Sequence, residues 1–321
     1  MFYMPPSIVF SVDALKDHRK ITSIITLLLE GVKRHGRSSL VRATLNLHMY
    51  LGIDIGGTKT LVACLDKDGV ITERLKFPTP KEYDDFISLL TDIVAKMSTI
   101  TFVGCCVGVP GRLDRKRGIG IAMGNLPWKN VPVKIDVERI VRCPVVVEND
   151  AKLAGLSEAM LVKDEYSRVA YITISTGIGI GIINNQKIDP SFVDSEAGKM
   201  PLEHHGKMAA WESFASGKAI VKTYGKKAQD ITDENTWRHI AYDIAIGLIN
   251  IIAIVQPQII VLGGSVASYF DRFDELLEEQ LHKYETPLVP IPPIIHAARP
   301  EEAVVYGCYD LAKSLYGTPR S

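Results

Sequence analysis

Residues 51–60 read Leu-Gly-Ile-Asp-Ile-Gly-Gly-Thr-Lys-Thr, and this stretch decides the fold of the chain. An apolar run carries Asp54 near its end, the pair Gly56-Gly57 follows, and hydroxyl residues lead into a second apolar run. This order is typical of a strand, a tight turn and a second strand. Paired glycines let the backbone approach a ligand, and free N–H groups with threonine hydroxyls can hold a phosphate. A carboxylate at the strand end can hold Mg²⁺ beside that phosphate, directly or through water. An ordinary glycine hairpin is the alternative for this segment alone.

A second glycine-rich segment lies in the other half of the chain, where residues 172–182 read Ile-Thr-Ile-Ser-Thr-Gly-Ile-Gly-Ile-Gly-Ile. Gly177, Gly179 and Gly181 alternate with isoleucines, so one face of the predicted strand lacks side chains. A bare face lets a ligand lie against the backbone, or lets another element pack closely. Two glycine-hydroxyl turns, one in each half, favour a ligand shared between them.

The composition is that of an ordinary globular protein. The chain has 321 residues, 46% of them hydrophobic, which is enough for two domains. Its formal net charge is zero, so neither a nucleic acid nor a membrane surface is expected as a partner. The five cysteines form no CxxC pair and mostly lie in apolar contexts, as reduced thiols of a cytoplasmic protein do. The apolar run at 24–29 is too short to span a bilayer.

Residues 1–48 differ from the rest of the chain, with seven basic residues against three acidic ones. Three interpretations are open: a disordered or loosely docked extension, a non-native start with Met49 as the true first residue, and a targeting segment. The targeting segment is the least favoured, because an apolar region with a cleavage site is missing. A complete DNA-binding helix-turn-helix would need more chain than this.

From Met49 onward the pattern of strands and helices runs twice. The order β-β-β-α-β-α-β-α in each half predicts two mixed sheets flanked by helices, with a ligand cleft between them. Thr79-Pro80-Lys81-Glu82 is predicted to be a capping box at a helix start, and 112–130 and 186–210 are predicted as polar loops. A long helix is expected at 234–255, ended by Pro257. The predicted domains are 49–165 and 166–300, with a last helix at about 301–316 that packs back onto the first.

Taken together, these segments resemble the ROK family of sugar kinases, within the actin-like ATPase superfold. The resemblance covers nearly all of 49–316 and is carried by seven motifs in order: Asp54-Ile-Gly-Gly-Thr58, Val107-Gly-Val-Pro-Gly111, Asn125-Leu-Pro-Trp128, Glu148-Asn-Asp-Ala151, Ser175-Thr-Gly-Ile-Gly179, Trp211-Glu-Ser-Phe-Ala-Ser-Gly217 and Ile260-Val-Leu-Gly-Gly-Ser265. It implies an α/β protein of two duplicated actin/hexokinase-like (ribonuclease H-like) domains with an interdomain cleft.

The resemblance also implies an activity: ATP- and Mg²⁺-dependent transfer of a phosphoryl group to a hexose hydroxyl, glucokinase-like and at the 6-hydroxyl. Two alternatives stay open. One is a kinase for an N-acetylated amino sugar, and the other is a non-catalytic sugar-sensing regulator. The partner implied is a small sugar, the location cytoplasmic, and a homodimer is left open.

Asp150 is the candidate general base. It follows a β-branched strand and Asn149 at a predicted helix start, where a strand-end carboxylate can accept the proton of an attacking hydroxyl. The resemblance assigns it this role, and a helix-capping aspartate is the alternative.

Further site residues follow from the resemblance. Sugar contacts are implied for Asn125, Asn149, Glu196 and Glu212, with turn-forming, capping or surface roles as the alternatives. Asp54 is the candidate magnesium ligand. The residues implied at the nucleotide are Asp54, Gly56, Gly57 and Thr58 at the β- and γ-phosphates, Thr176, Gly177 and Gly179 on the opposite side, and Gly263 and Gly264 at adenine and ribose.

One segment departs from the family pattern. The family carries a histidine and then a cysteine-rich zinc site, whereas this chain has Lys199 and then Glu203-His-His-Gly-Lys-Met-Ala-Ala210. A structural zinc site of that kind needs four ligands, mostly thiolates. We therefore expect no zinc, and adjacent histidines such as His204 and His205 rarely converge on one ion. Lys199 is a candidate for binding a sugar hydroxyl, or a carboxylate or phosphate on a different substrate.

Overall fold

A computed structural model describes residues 48–99, 101–299 and 301–317. The N-terminal extension lies outside the described residues except for His48, so its three interpretations stay predictions. The division into domains at 165 also stays a prediction.

The first half builds one five-stranded sheet. Its elements are, in chain order, β1 (Tyr50–Ile55), β2 (Lys59–Leu65), β3 (Ile71–Pro78), α1 (Tyr83–Ala95), β4 (Gly104–Val109), β5 (Arg112–Asp114), β6 (Ile119–Ala122), β7 (Lys129–Val131), α2 (Val133–Val141), β8 (Val145–Asn149) and α3 (Asp150–Leu161). The sheet order is β3-β2-β1-β4-β8. Strands β1, β2 and β3 pair antiparallel, and β4 and β8 add in parallel.

The second half repeats this arrangement. Its elements are β9 (Arg168–Ile174), β10 (Ile178–Asn184), β11 (Lys187–Ile188), β12 (Pro201–His204), β13 (Lys207–Ala210), α4 (Glu212–Ala215), α5 (Gly217–Tyr224), α6 (Glu234–Val255), β14 (Ile259–Gly263), α7 (Gly264–Ala267), α8 (Asp274–His282), β15 (Ile294–His296) and α9 (Ala303–Tyr316). The sheet order is β11-β10-β9-β14-β15, again an antiparallel meander extended by two parallel strands. The duplicated α/β fold predicted from the sequence is confirmed.

Two helices cross between the sheets. Helix α3 follows the first sheet, yet its Leu156 packs with Tyr171 of the second. Helix α9 follows the second sheet, yet its Val305 packs in a core on the first. The two helices touch closely, because a Cβ at Gly307 would lie 1.9 Å from the carbonyl oxygen of Leu153. This crossing fixes the start of α3, and with it Asp150, between the sheets.

The long helix α6 has the bounds that its sequence predicts, Glu234–Val255. Asp233 caps it by accepting a hydrogen bond from the Thr236 N–H at 2.8 Å. Its length and apolar composition would also suit a membrane span. Trp237, Ile244 and Leu248 are however buried in the core of the second half, as expected for the core helix of a globular domain.

The two segments predicted as polar loops contain short strands. Strands β5 and β6 lie within 112–130 and form a small sheet with β7, which begins there, and β12 and β13 form a hairpin within 186–210. These strands have only three or four residues each. Hydrophobic periodicity cannot identify elements that short, so the loop prediction was wrong there.

Candidate active site

The first glycine turn joins β1 to β2. The N–H of Gly56 donates to the carbonyl oxygen of Lys59 at 3.0 Å, which closes the turn. Thr79 braces it from outside, since its hydroxyl donates to Gly56 O at 2.8 Å and its N–H to Thr58 O at 3.0 Å. The capping-box prediction was therefore wrong: α1 begins at Tyr83, and Thr79 holds the glycine turn instead.

The second glycine turn is organised by Ser175. Its N–H donates to Gly177 O at 2.9 Å, and its carbonyl oxygen accepts from the Gly217 N–H at 2.7 Å. Its hydroxyl accepts from the Ser265 N–H at 3.2 Å. Three segments therefore meet at one residue: the turn after β9, the start of α5 and the turn after β14. Gly264 must be glycine there, because its φ is 89° and a Cβ would lie 2.6 Å from Ser175 Oγ.

Two adjoining cavities meet at Ser175 of the second glycine turn, and Asp54, which precedes the first turn, lines one of them. A cavity of about 370 Å³ is lined by Ser175, Thr176, Gly217, Lys218, Val221, Lys227, Ala228, Gln229, Ser265, Val266, Ser268 and Tyr269. A second, of about 150 Å³, is lined by Asp54, Asp150, Ala151, Ala154, Tyr171, Thr173, Ser175, Gly264, Glu301, Ala303 and Val304. Ser175 lies in both linings. Because the smaller cavity brings Asp54 and Asp150 together, the two predicted carboxylates share one site.

Asp150 is the first residue of α3, and its Oδ1 accepts from the Ala151 N–H at 2.8 Å. Burial raises the pKa of Asp150 from 3.8 to about 6. The Ala151 N–H and the Lys152 ammonium lower the same pKa, and the Glu196 carboxylate raises it. A carboxyl group with a pKa this close to neutral is suited to accept and release a proton.

Asp54 is the second carboxylate of this cavity. Burial and the charge of Asp150 raise the pKa of Asp54 from 3.8 to about 7, against an opposing effect of Lys76. Two carboxylates in one low-dielectric site repel each other when both are ionised, and a cation bound near them would offset this repulsion. Carboxylate oxygens, together with phosphate and water, are the ligands Mg²⁺ prefers, and Asp54 therefore fits the role predicted for it.

Asn149 serves as the N-cap of α3. Its Oδ1 accepts from the N–H groups of Ala151 and Lys152 at 3.0 and 3.3 Å, and its Nδ2 donates to Gly111 O at 3.2 Å. The capping alternative thus describes the side chain of Asn149. Its amide orients the segment that presents Asp150.

Two of the predicted sugar-site residues, Lys199 and Glu212, lie beside the second glycine turn. Glu212 forms an ion pair with Lys199, and its Oε2 lies 3.5 Å from the Ile178 N–H. A Cβ on either Gly177 or Gly198 would come within 2.9 Å of that oxygen. Glu212 therefore lies against both the second turn and the 3₁₀ turn Ala197–Lys199.

Asn125 and Glu196 are each placed beside a different part of the predicted site. Asn125 packs beside the first glycine turn, since a Cβ on Gly57 would lie 3.2 Å from the Cβ of Asn125. Glu196 is near enough to Asp150 for its charge to act on that carboxyl group. Asn125 therefore lies at the first glycine turn, whereas Glu196 lies near Asp150.

Some glycines expected at the nucleotide have packing roles. A Cβ on Gly179 would lie 2.9 Å from Ala151 Cβ, so the bare face of β10 accommodates α3. A Cβ on Gly263 would lie 2.3 Å from the hydroxyl oxygen of Tyr171. The packing alternative therefore describes Gly179, and Gly263 also packs closely, against Tyr171.

Sequence reasoning did not identify most of the larger cavity. Lys218, Lys227, Gln229, Ser265 and Tyr269 line it, and they come from α5, a 3₁₀ turn and the segment after β14. Individually they look like ordinary surface residues. Only their place after the second glycine turn could have drawn attention to them.

His204, in the segment that departs from the family pattern, is held by other contacts. His204 Nε2 lies 3.0 Å from Asp243 Oδ1, and the His204 ring stacks on Phe214 at 4.1 Å. Within the described ranges, no group of three or more His, Cys, Asp or Glu side chains is arranged to hold a metal ion.

Elemental analysis of purified protein should accordingly show well below one zinc per chain. Stoichiometric zinc that survives dialysis against a chelator would contradict our interpretation of residues 196–210.

Two like sheets, crossed by two helices and each presenting a glycine turn to a shared aspartate pair, define the actin-like ATPase fold. The crystal structure of a ROK family glucokinase from Streptomyces griseus, in complex with glucose and AMPPNP, has this fold. It superposes with a TM-score of 0.71 at 25% identity, over 83% of this chain and 99% of that chain. The ROK family model matches residues 50–314, and the chain belongs to the ROK family.

Relatives of more than one kind are similar to this chain. A glucokinase of Streptomyces coelicolor is 28% identical over 83% of this chain and 98% of its own length. A xylose repressor of Bacillus subtilis is 26% identical over 67% of this chain and 64% of its own length. The family alone therefore does not fix whether a member is an enzyme or a regulator.

Proposed function

We propose that this protein is an ATP- and Mg²⁺-dependent sugar kinase that phosphorylates a hexose, at the 6-hydroxyl by family resemblance. The observation that carries the proposal is the site of Asp150. This carboxyl group is partly buried and has a pKa of about 6. It lines the smaller cavity together with Asp54, and the larger cavity adjoins the smaller one at Ser175 of the second glycine turn. A DNA-binding regulator has no need for a proton acceptor at that junction.

In the proposed reaction, ATP lies with its nucleoside in the larger cavity and its phosphates between the two glycine turns. The Gly56-Gly57 turn and Thr58 contact the β- and γ-phosphates from one side, and Thr176 and Gly177 from the other. Asp54 would hold Mg²⁺, directly or through water, and the ion would neutralise charge on the phosphates.

Asp150 accepts the proton of the sugar hydroxyl as that oxygen forms a bond to the γ-phosphorus. The bond between the γ-phosphorus and the bridging oxygen of the β-phosphate breaks, and ADP leaves with that electron pair. Asp150 then releases its proton to solvent. The products are a sugar phosphate, ADP and a proton.

The sugar is proposed to lie among Asn125, Glu196, Lys199 and Glu212, with Asn149 orienting the loop behind it. Each carboxylate can accept hydrogen bonds from adjacent hydroxyls. Lys199 forms a salt bridge with Glu212. This pair can offer the sugar both a hydrogen-bond donor, the ammonium group, and an acceptor, the carboxylate. Closure of the two predicted domains over the sugar would exclude water.

An ADP-release assay across glucose, mannose, fructose, N-acetylglucosamine and N-acetylmannosamine tests the proposal and identifies the sugar. We expect sugar-dependent ADP release with at least one of them, requiring Mg²⁺. A gel-shift with genomic DNA fragments tests the regulator alternative. If the protein bound DNA and released no ADP with any of the sugars, the regulator alternative would replace the kinase proposal.

The pKa values of the two carboxyl groups predict a pH dependence. A base must be unprotonated to act, so kcat/KM should fall as the pH decreases through the range of about 6 to 7 set by Asp150 and Asp54. Below that range, we expect about a hundredfold loss per pH unit if both carboxyl groups must be ionised, and about a tenfold loss if only Asp150 must be. Initial rates measured at fixed Mg·ATP across the range check this. A flat profile down to about pH 5 would show that neither carboxyl group limits the reaction.

A further inference from the structure

A buried lysine lies two residues after the proposed base. Lys152, in the first turn of α3, is 3% exposed, and its Nζ donates to the carbonyl oxygen of Ser195 at 2.7 Å. Burial lowers the pKa of this ammonium, while the charges of Glu196 and Glu148 raise it. A buried cation is costly unless it is paired and hydrogen-bonded, so its contact with the 193–195 segment is a substantial part of what holds it there.

Arg115 contacts the same segment from the loop between β5 and β6. Its guanidinium binds the Glu148 carboxylate through Nε at 2.8 Å and Nη2 at 2.7 Å. Nη2 also donates to Val193 O at 2.9 Å, and Nη1 pairs with Asp194. Glu148 is 6% exposed and lies at the end of β8, so the guanidinium is anchored on the first sheet.

Segment 193–195 has little regular structure of its own. It lies between β11 and the 3₁₀ turn Ala197–Lys199, and Ser195 bonds only back to Phe192 through its N–H and hydroxyl. Its other described polar contacts are those from Arg115 and Lys152. The next residue is Glu196, one of the proposed sugar ligands.

The contacts border a cavity of their own. A space of about 210 Å³ has a lining that includes Arg115, Asn149, Lys152, Val193, Asp194 and Glu196. Asn149 and Glu196 connect it to the proposed sugar site. Any displacement of the segment would therefore move Glu196 relative to Asp150.

We propose that Lys152 and Arg115 are positioning residues that hold segment 193–195 and thereby place Glu196 for the sugar. Lys152 lies on the helix that begins with Asp150, and Arg115 is anchored on Glu148, two residues before it. The base and this sugar ligand are therefore fixed to the same support. The inference rests on the proposed kinase function. It assigns to these two residues an effect on sugar binding and none on nucleotide binding.

The first test is Lys152→Met, which keeps the length of the side chain and removes its donor. We expect the KM for the sugar to rise about tenfold or more, since a lost positioned hydrogen bond to a charged group costs about that factor. The KM for ATP should stay within about twofold. Lys313→Met is the matched control, because Lys313 Nζ also donates to a backbone carbonyl, that of Lys67, at 2.9 Å. It should change neither KM.

A double-mutant cycle tests whether Lys152 acts through Glu196. If it does, Lys152→Met combined with Glu196→Gln should raise the sugar KM little beyond the larger single effect. Multiplying effects would show that the two residues act independently and would overturn the proposal. Should Lys152→Met fail to fold, Asp194→Ala removes an exposed partner of Arg115 and leaves the Glu148 pair intact. We expect it to raise the sugar KM about threefold with the ATP KM unchanged.

The controls separate the two proposals. A wild-type protein that releases no ADP with any sugar contradicts the kinase function itself. A wild-type kinase whose sugar KM is unchanged by both Lys152→Met and Asp194→Ala contradicts the positioning role alone.

Discussion

Asp150→Asn should lower kcat by about 10²–10⁴-fold, the usual effect of removing a positioned general base. Asparagine has nearly the shape of aspartate but cannot accept the proton of the attacking hydroxyl. It can still accept the Ala151 N–H that Oδ1 accepts in the native protein, so the start of α3 should be preserved. ATP should bind with an unchanged dissociation constant, measured by calorimetry with a non-hydrolysable analogue.

A control variant separates catalysis from helix capping. Asp233 caps α6 through hydrogen bonds to the Thr236 N–H and hydroxyl at 2.8 and 2.7 Å, away from the two cavities. Asp233→Asn should leave kcat within about twofold of wild type, because asparagine is also a good cap. If Asp150→Asn behaved like Asp233→Asn, the capping alternative for Asp150 would stand and the base assignment would be wrong.

Asp54→Asn should reduce kcat by about 10²–10³-fold and yet stabilise the free protein. The loss of activity follows from the missing electrostatic partner of the phosphates and their Mg²⁺. The gain in stability follows from the pKa, which burial and Asp150 raise from 3.8 to about 7. A carboxyl group with a raised pKa contributes stability below its unfolded pKa, and that contribution is lost as the pH rises through the folded pKa. The asparagine side chain does not ionise, so the variant does not lose stability at this position as the pH rises.

The stability effect can be measured by thermal denaturation without Mg²⁺. The melting temperature of Asp54→Asn should exceed that of wild type by more at about pH 8 than at about pH 5. Added Mg²⁺ and ATP should raise the melting temperature of wild type more than that of the variant, because ligands stabilise the state that binds them. Asp84→Asn, at an exposed position of α1, should show none of these differences. A pH-independent gain would refute the burial argument for Asp54.

Local patterns predicted the main elements well. The strand, turn and strand around Gly56-Gly57, the cluster of apolar residues in α6 and the position of Asp150 after β8 all follow from periodicity and turn chemistry. The twofold repeat of element order also predicted two mixed sheets flanked by helices, whereas the order of the strands within each sheet comes from the structure. These signals are local, because backbone geometry and burial on one face leave a trace in consecutive residues.

Several roles could not be inferred from local sequence. Thr79 fits a capping box by its spacing, but its hydroxyl holds a turn 23 residues earlier in the chain. Gly179 and Gly263 fit a ligand cradle, but a helix and Tyr171 occupy the space beside them. A glycine makes room without specifying for what, so the sequence could not separate a ligand from a packing partner.

By itself, the sequence determined the two glycine turns, the duplicated sheets and the position of Asp150 directly after β8. Family resemblance then indicated a sugar and a nucleotide. Only the tertiary structure decided that Asp54 and Asp150 share one cavity, that Ser175 joins three segments, and that Arg115 and Lys152 contact the segment before Glu196. The physical reason is distance along the chain: strand and turn preferences act between near neighbours, whereas the site is assembled by crossing helices that bring residues from both halves together.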